Sequence, residues 1–167
     1  MKRSLIFALV AVALSWSAAA QNYAVVNSSK IYQSMEDYTA AVAELDALAN
    51  SYQKNIDEAF EKLDQMYQNY MVAKDGLSPE DQAAREKAIL DNEKKITEYQ
   101  QKVFGTEGII AKKQEELLKP YTDKVSAAIT TYATTKGIDM VIDVAVTQLP
   151  YWSPALDITE QIIKAVK

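Results

Sequence analysis

The stretch YTAAVAELDALANSYQKNIDEAFEKLDQMYQNYMVAKDGLSPED, residues 38–81, decides the fold. Within it Tyr38, Leu45, Tyr52, Ala59 and Met66 recur every seven residues; Val42, Ala49, Ile56, Leu63 and Tyr70 do the same, offset by four. All ten positions are apolar or aromatic. A strict seven-residue stripe is held against a partner helix by left-handed supercoiling. The partner is supplied by the chain that follows. Asp75-Gly76 ends the helix, with Gly76 expected in the left-handed conformation common just past helix ends. Ser78-Pro79-Glu80-Asp81 then offers a serine cap, proline at the first helical position and an acid at the third. Only Gly76 and Leu77 separate stop from start, so the two helices fold back antiparallel.

The returning helix carries Ile89, Ile96, Val103, Ile110 and Leu117 at the same period. Its companion positions Asn92, Tyr99, Thr106 and Lys113 are mixed, which makes this seam wetter and looser. With the turn at Gly76-Leu77, residue i faces roughly residue 153 − i, and Pro120 falls near the start of the first stripe. Pro120 reads as a kink where the hairpin leaves the rest of the chain. Gly105 and Gly108 read either as a hinge or as a close helix–helix approach. An arm of roughly 38 residues is about 57 Å long, far more than a small body needs for its core.

Outward from the hairpin, YAVVN at 23–27 reads as a strand, and Ser28 or Ser29 can cap a short helix after it. After Pro120 an apolar helical face continues to Lys136 and stops at Gly137. KGIDMVID at 136–143 contains a second strand with Ile138, Met140 and Ile142 on one side, and 146–149 reads as a third. An amphipathic helix closes the chain, capped by Asp157 or Thr159. The expected fold is therefore α+β and mostly α: a small three-stranded sheet body, 21–35 with 121–167, interrupted by a helical hairpin over 36–120 whose tip lies near 75–78. Tyr23, Val25, Ile138, Met140 and Ile142 are the candidates for joining copies through the body, because so few strands leave edges open to self-association.

Residues 1–20 read as an export signal. Lys2 and Arg3 precede an apolar run of ten at 5–14, too short to span a bilayer as a helix, and Ala18-Ala19-Ala20 supplies the cleavage pattern before Gln21. The expected exported chain has 167 − 20 = 147 residues, and loss of Lys2 and Arg3 takes its charge from −5 to −7. Without a single Cys or His among 167 residues, thiolate and Ser-His chemistry and most transition-metal sites are excluded. Asp139 and Asp143 share one side of a strand and read as strand-end solvation. The acidic balance, 23 Asp+Glu against 18 Lys+Arg, is also wrong for gripping nucleic acid. The four glycines form no phosphate-binding loop, so no cofactor, metal or catalytic residue is nominated.

The chain resembles the OmpH/Skp family of periplasmic outer-membrane-protein chaperones across essentially its whole exported length. The resemblance rests on YAVVN at 23–27, KVFGTEG at 102–108, KKQEELLKPYTDKV at 112–125, KGIDMVID at 136–143 and LDITEQIIKAVK at 156–167. The FGxEG and LLKP segments look most like the Bacteroidetes-type branch. The resemblance implies a homotrimer with a shared β-barrel body and three hairpin tentacles. It also implies a cavity that holds unfolded outer-membrane barrel proteins in the periplasm without ATP. One departure stands out: enteric members are strongly basic, whereas residues 36–74 here carry 8 acidic against 3 basic side chains. Acidic arms speak against membrane or lipopolysaccharide contact, so no lipopolysaccharide site is carried over.

Client contact is expected from apolar residues in excess of what two helices bury. Met66, Tyr67, Tyr70, Met71 and Leu77 cluster at the tip, with Tyr52, Phe60, Tyr99 and Phe104 further along. Flexible Met and amphipathic Tyr suit weak contacts with many partners. Met66 and Tyr70 also have the simpler role of seam residues. Gly105, Gly108 and Pro120 are the expected points of bending. The competing class is an exported coiled-coil adaptor with one fixed partner.

Overall fold

The structure is a computed structural model that describes residues 22–167; the signal segment read at 1–20 lies outside the described residues. Strand β1 (Tyr23–Val26) leads into helix α1 (Ser28–Gln33) and the long helix α2 (Glu36–Ala73). A 3-10 turn (Lys74–Gly76) precedes α3 (Pro79–Phe104), followed by α4 (Ile109–Lys136), β2 (Met140–Asp143), a second 3-10 turn (Pro154–Leu156) and α5 (Thr159–Val166). The chain divides into two compact units: an arm, Met35–Lys124, and a body formed by residues 22–34 with Val125–Lys167.

In the arm, α2 runs 38 residues, and every one of its ten stripe positions is buried or half-buried. The second stripe behaves likewise, with Ile96 and Val103 buried. The tip shows how the sequence turns the chain. Ser78 Oγ accepts from the Asp81 N–H at 3.1 Å and donates to the Asp81 carboxylate at 2.6 Å, with Pro79 at the first helical position. Gly76 is not left-handed: a 3-10 turn, closed by Leu77 N–H on the Lys74 carbonyl at 3.1 Å, reverses the chain instead. The side chain of Gln82 then donates to the carbonyls of Lys74 and Leu77 at 3.0 and 3.3 Å, tying the turn to the first turn of α3.

The returning path is interrupted at 105–108. The Gly105 N–H donates to the Gln101 carbonyl, the Gly108 N–H to the Gly105 carbonyl at 2.8 Å, and helix resumes at Ile109. A Cβ at Gly105 would collide with the Gln101 carbonyl oxygen, and one at Gly108 would lie 2.5 Å from the Val103 carbonyl. Both obstacles are local backbone, so the glycines serve the break itself and not the approach of a second helix. Helix α4 continues through Pro120. That proline removes one N–H from the ladder without ending the helix.

In the body, β1 and β2 pair in parallel, Tyr23 with Met140 through Val26 with Asp143, and the whole arm forms the crossover between them. Ala24, Val25 and Val26 are all buried, as a strand covered on both faces must be. Ile31, Ile158, Ile162 and Val166 complete this core. The expected third strand at 146–149 does not form, so the sheet has two strands among the described residues. After β2 the Asp143 carboxylate takes the Ala145 N–H at 2.9 Å, and the Asp143 carbonyl takes the Thr147 N–H at 2.9 Å, which turns the chain away. The free side of β1 is filled instead by Asp157, bridged to Val25, with Ile158 N–H on the Val25 carbonyl at 3.0 Å.

Capping also differs in detail from the reading above. Asn27, not a serine, caps α1 through the Lys30 N–H at 3.0 Å. Asp157 accepts the Thr159 N–H at 2.9 Å, which frees the buried Thr159 hydroxyl to accept from Asn27 N–H at 2.9 Å. Gly137 ends α4 in the left-handed conformation (φ 63°), with Ile138 N–H reaching back to the Ala133 carbonyl at 2.9 Å.

Candidate functional site

Asp143 is the most constrained carboxylate of the body. Partial burial pushes its pKa up, but the Ser28 side chain, the Ala145 N–H and the Ser28 N–H together hold it below the ordinary carboxylate range. Asp139 accepts the Asn22 N–H at 2.9 Å. Both acids thus serve backbone groups, and no acidic cluster fit to hold a metal ion occurs among the described residues.

The arm presents a different kind of surface. Phe60, Tyr67 and Met71 are 40%, 48% and 48% exposed on α2; Leu90 and Phe104 are 62% and 38% exposed on α3. Phe60 and Tyr67 each lie four residues after a seam position (Ile56, Leu63), and Met71 lies four after Tyr67. They share one flank of the helix. Leu90 and Phe104 occupy the equivalent flank of α3, each four residues beyond Glu86 and Gln100, which themselves follow the seam by four. Two antiparallel helices are related by a near two-fold axis normal to the hairpin plane, which carries front to front. Equivalent flanks therefore lie on one side of the hairpin. The Tyr70 hydroxyl marks the junction, donating from the seam to the Glu86 carboxylate on that flank.

The other expected contact residues are placed differently. Tyr70 is buried, its hydroxyl pKa raised chiefly by the bond to Glu86, and the Lys74 ammonium lies 5.5 Å from its ring centre. Met66 is half-buried in the seam, and Leu77 is half-buried in the turn. Half-buried Tyr52 pairs across the seam with Tyr99, ring centres 6.5 Å apart, and Tyr99 stays as exposed as Phe104. Tyr70, Met66, Leu77 and Tyr52 build the arm. Leu90, and Val72 at 90% exposure, were not singled out from the sequence. Leu90 sits directly after the seam residue Ile89, so extending the heptad count by one position identifies it.

In the body, Val25 is fully engaged in the core of the single chain, Ile138 and Ile142 are half-buried, and Tyr23 and Met140 are exposed. Val146 and Tyr151 stand out from the loop after β2, at least four-fifths exposed. No helix among the described residues is long and apolar enough to cross a membrane.

A coiled-coil hairpin arm inserted into a small parallel-sheet body defines an architectural class. The profile of the family described as "Outer membrane protein (OmpH-like)" matches residues 22–166, and the chain belongs to that family. The fold is similar to that of an OmpH-like protein from Caulobacter crescentus, known from a crystal structure. The TM-score is 0.63 at 13% identity, covering 90% of this chain and 86% of that one. No curated protein matches the chain.

Proposed function

We propose that this chain is an ATP-independent periplasmic holdase that keeps unfolded outer-membrane barrel proteins soluble before membrane insertion. Family membership supports the chaperone class, and one observation carries the mechanism: the arm displays apolar and aromatic side chains on a helical pair whose own core is already satisfied. Residues that neither build the arm nor catalyse anything are available for shallow, repeated contact with apolar segments of a client. A holdase needs only to bind the unfolded state better than the folded one, which lowers free unfolded chain by mass action. Export by residues 1–20 belongs to the same reading, as does the absence of catalysis.

The body supports assembly. Strand β2 is paired on one edge only among the described residues, and Tyr23, Met140, Val146 and Tyr151 are exposed around it. An open strand edge beside apolar side chains is a template for another copy. Three copies sharing one sheet, with the arms around a common cavity, is the arrangement proposed.

The test is light-scattering mass on a sizing column for residues 21–167, alone and after dilution with a urea-unfolded outer-membrane barrel protein. A mass of three chains that gains one client supports the reading. An assembly that ignores the client while it precipitates sinks it in favour of the adaptor.

A further inference from the structure

The exposed flank of the arm is chemically one-sided. Its five apolar side chains are interspersed with Asp57 and Asp64, each directly after a seam residue (Ile56, Leu63), and with Glu86 and Glu93, each four residues after a seam position on the same flank, and Lys74 is the cation beside them. Among the described residues these carboxylates form no ion pair: Asp57 accepts from Gln53 at 2.8 Å and Glu86 from Tyr70. The arm's α2 and α3 ion pairs, Lys54–Glu58, Lys87–Asp91 and Lys94–Glu98, occupy the rows facing away from the seam. The lysines Lys62, Lys95 and Lys102 follow the seam by three residues, not four, and so line the opposite side of the hairpin. Negative charge is thus left uncompensated where apolar area is exposed.

We propose that this flank is the docking surface for clients and that it selects unfolded segments in which apolar and aromatic residues alternate with Lys or Arg. The proposal rests on the holdase reading. Apolar contact supplies affinity for any extended segment, while the carboxylates favour cationic neighbours and repel acidic ones. The Phe60, Tyr67 and Phe104 rings add faces on which Arg and Lys side chains stack. Exposed charge pairs are individually weak and screened beyond about 8 Å at physiological salt, so selection arises from several acting together.

Three fluorescent peptides of identical apolar content, with Lys/Arg, Ser/Gln or Asp/Glu at the polar positions, test the proposal on residues 21–167. The cationic peptide is expected to bind about tenfold tighter than the acidic one at low salt, with the gap closing as salt rises. D57N/D64N/E93Q removes most of the gap, whereas the charge-matched E58Q/D91N/E98Q on the outer rows preserves it. Circular dichroism verifies that both variants stay folded. Phe60→Ser with Leu90→Ser weakens all three peptides alike. Equal binding of the cationic and acidic peptides, or equal loss in both charge sets, overturns the selectivity. A face variant that alters assembly mass but not peptide binding assigns the flank to a second copy and also overturns it. If an unfolded barrel protein stays soluble while the face variants behave as wild type, the holdase reading survives and this proposal fails. If neither peptides nor barrel protein bind, both fail.

Discussion

Tyr38 on α2 meets Tyr121 on α4 edge to face, ring centres 5.7 Å apart and planes at 85°. Counted one-for-one from the turn, Tyr38 should face Glu115, six residues earlier. Nearer the tip the same count holds to within two residues, since Tyr52 meets Tyr99 where residue 101 was expected. Between the two pairs the helical path is interrupted at 105–108, where the Gly105 N–H closes on the Gln101 carbonyl and the Gly108 N–H on the Gly105 carbonyl. The one-for-one count therefore does not carry past the two glycines.

That relationship makes the glycines unequal. Gly108→Ala drives a Cβ into the Val103 carbonyl and the Gly105 backbone, and it should lower the thermal midpoint clearly. Gly76→Ala meets nothing within 4 Å and needs no positive φ. It is expected to be neutral or stabilising by up to about 1 kcal/mol, through the unfolded chain. Thermal unfolding of both variants at equal protein concentration checks the contrast.

The seam and the flank should separate cleanly in stability. Ile56 is fully buried, and Ile56→Ala should cost about 2–5 kcal/mol in urea unfolding. Phe60→Ser lies four residues away on the exposed flank and should change stability by no more than about 0.5 kcal/mol. Comparable losses would place Phe60 in the arm's core and remove it from any contact surface.

Asp143 predicts how the body responds to acid. Its carboxyl sits below its ordinary value in the folded chain, so its contribution is present above pH 3.8 and is lost as pH falls below that. Asp143→Asn retains an acceptor oxygen for the Ser28 and Ala145 N–H groups, both held by a single oxygen, Oδ1. The variant should therefore fold at neutral pH and lose stability less steeply than wild type below pH 3.8. Parallel acid profiles for the two proteins would contradict this role.

Tyr70 predicts the alkaline side. Its pKa is raised chiefly by the bond to Glu86, so the folded arm favours the protonated phenol. The stability it adds is complete below pH 10 and declines as pH rises through its folded value. The stability difference between wild type and Tyr70→Phe should be constant up to pH 10 and shrink above it. A difference flat across the alkaline range would mean that the bond contributes nothing.

Much of the arm was legible because periodicity is a local signal. Ten stripe positions and the Ser78–Asp81 cap are written in adjacent residues, and packing agrees with them. The sheet was harder. Val146 and Leu149 look like strand residues, but Asp143 spends its carboxylate on the next turn, and no local pattern announces that. Asp157 takes the place beside Val25 through a contact 132 residues away in sequence. The register past 105–108 was hidden for a related reason, since counting assumes constant rise per residue. The exposed flank was half legible: Phe60, Tyr67, Met71 and Phe104 were readable as excess apolar residues. Tyr70 and Met66 proved structural because the seam claims them, and Leu90 required knowing which flank stays open.

Light scattering during dilution of a urea-unfolded outer-membrane barrel protein tests the holdase reading most directly. With residues 21–167 present and no nucleotide added, the client should stay clear at about one assembly per client molecule. Phe60→Ser with Leu90→Ser should need more assembly for the same effect. Precipitation at the rate seen without the protein, at any ratio tried, would contradict it.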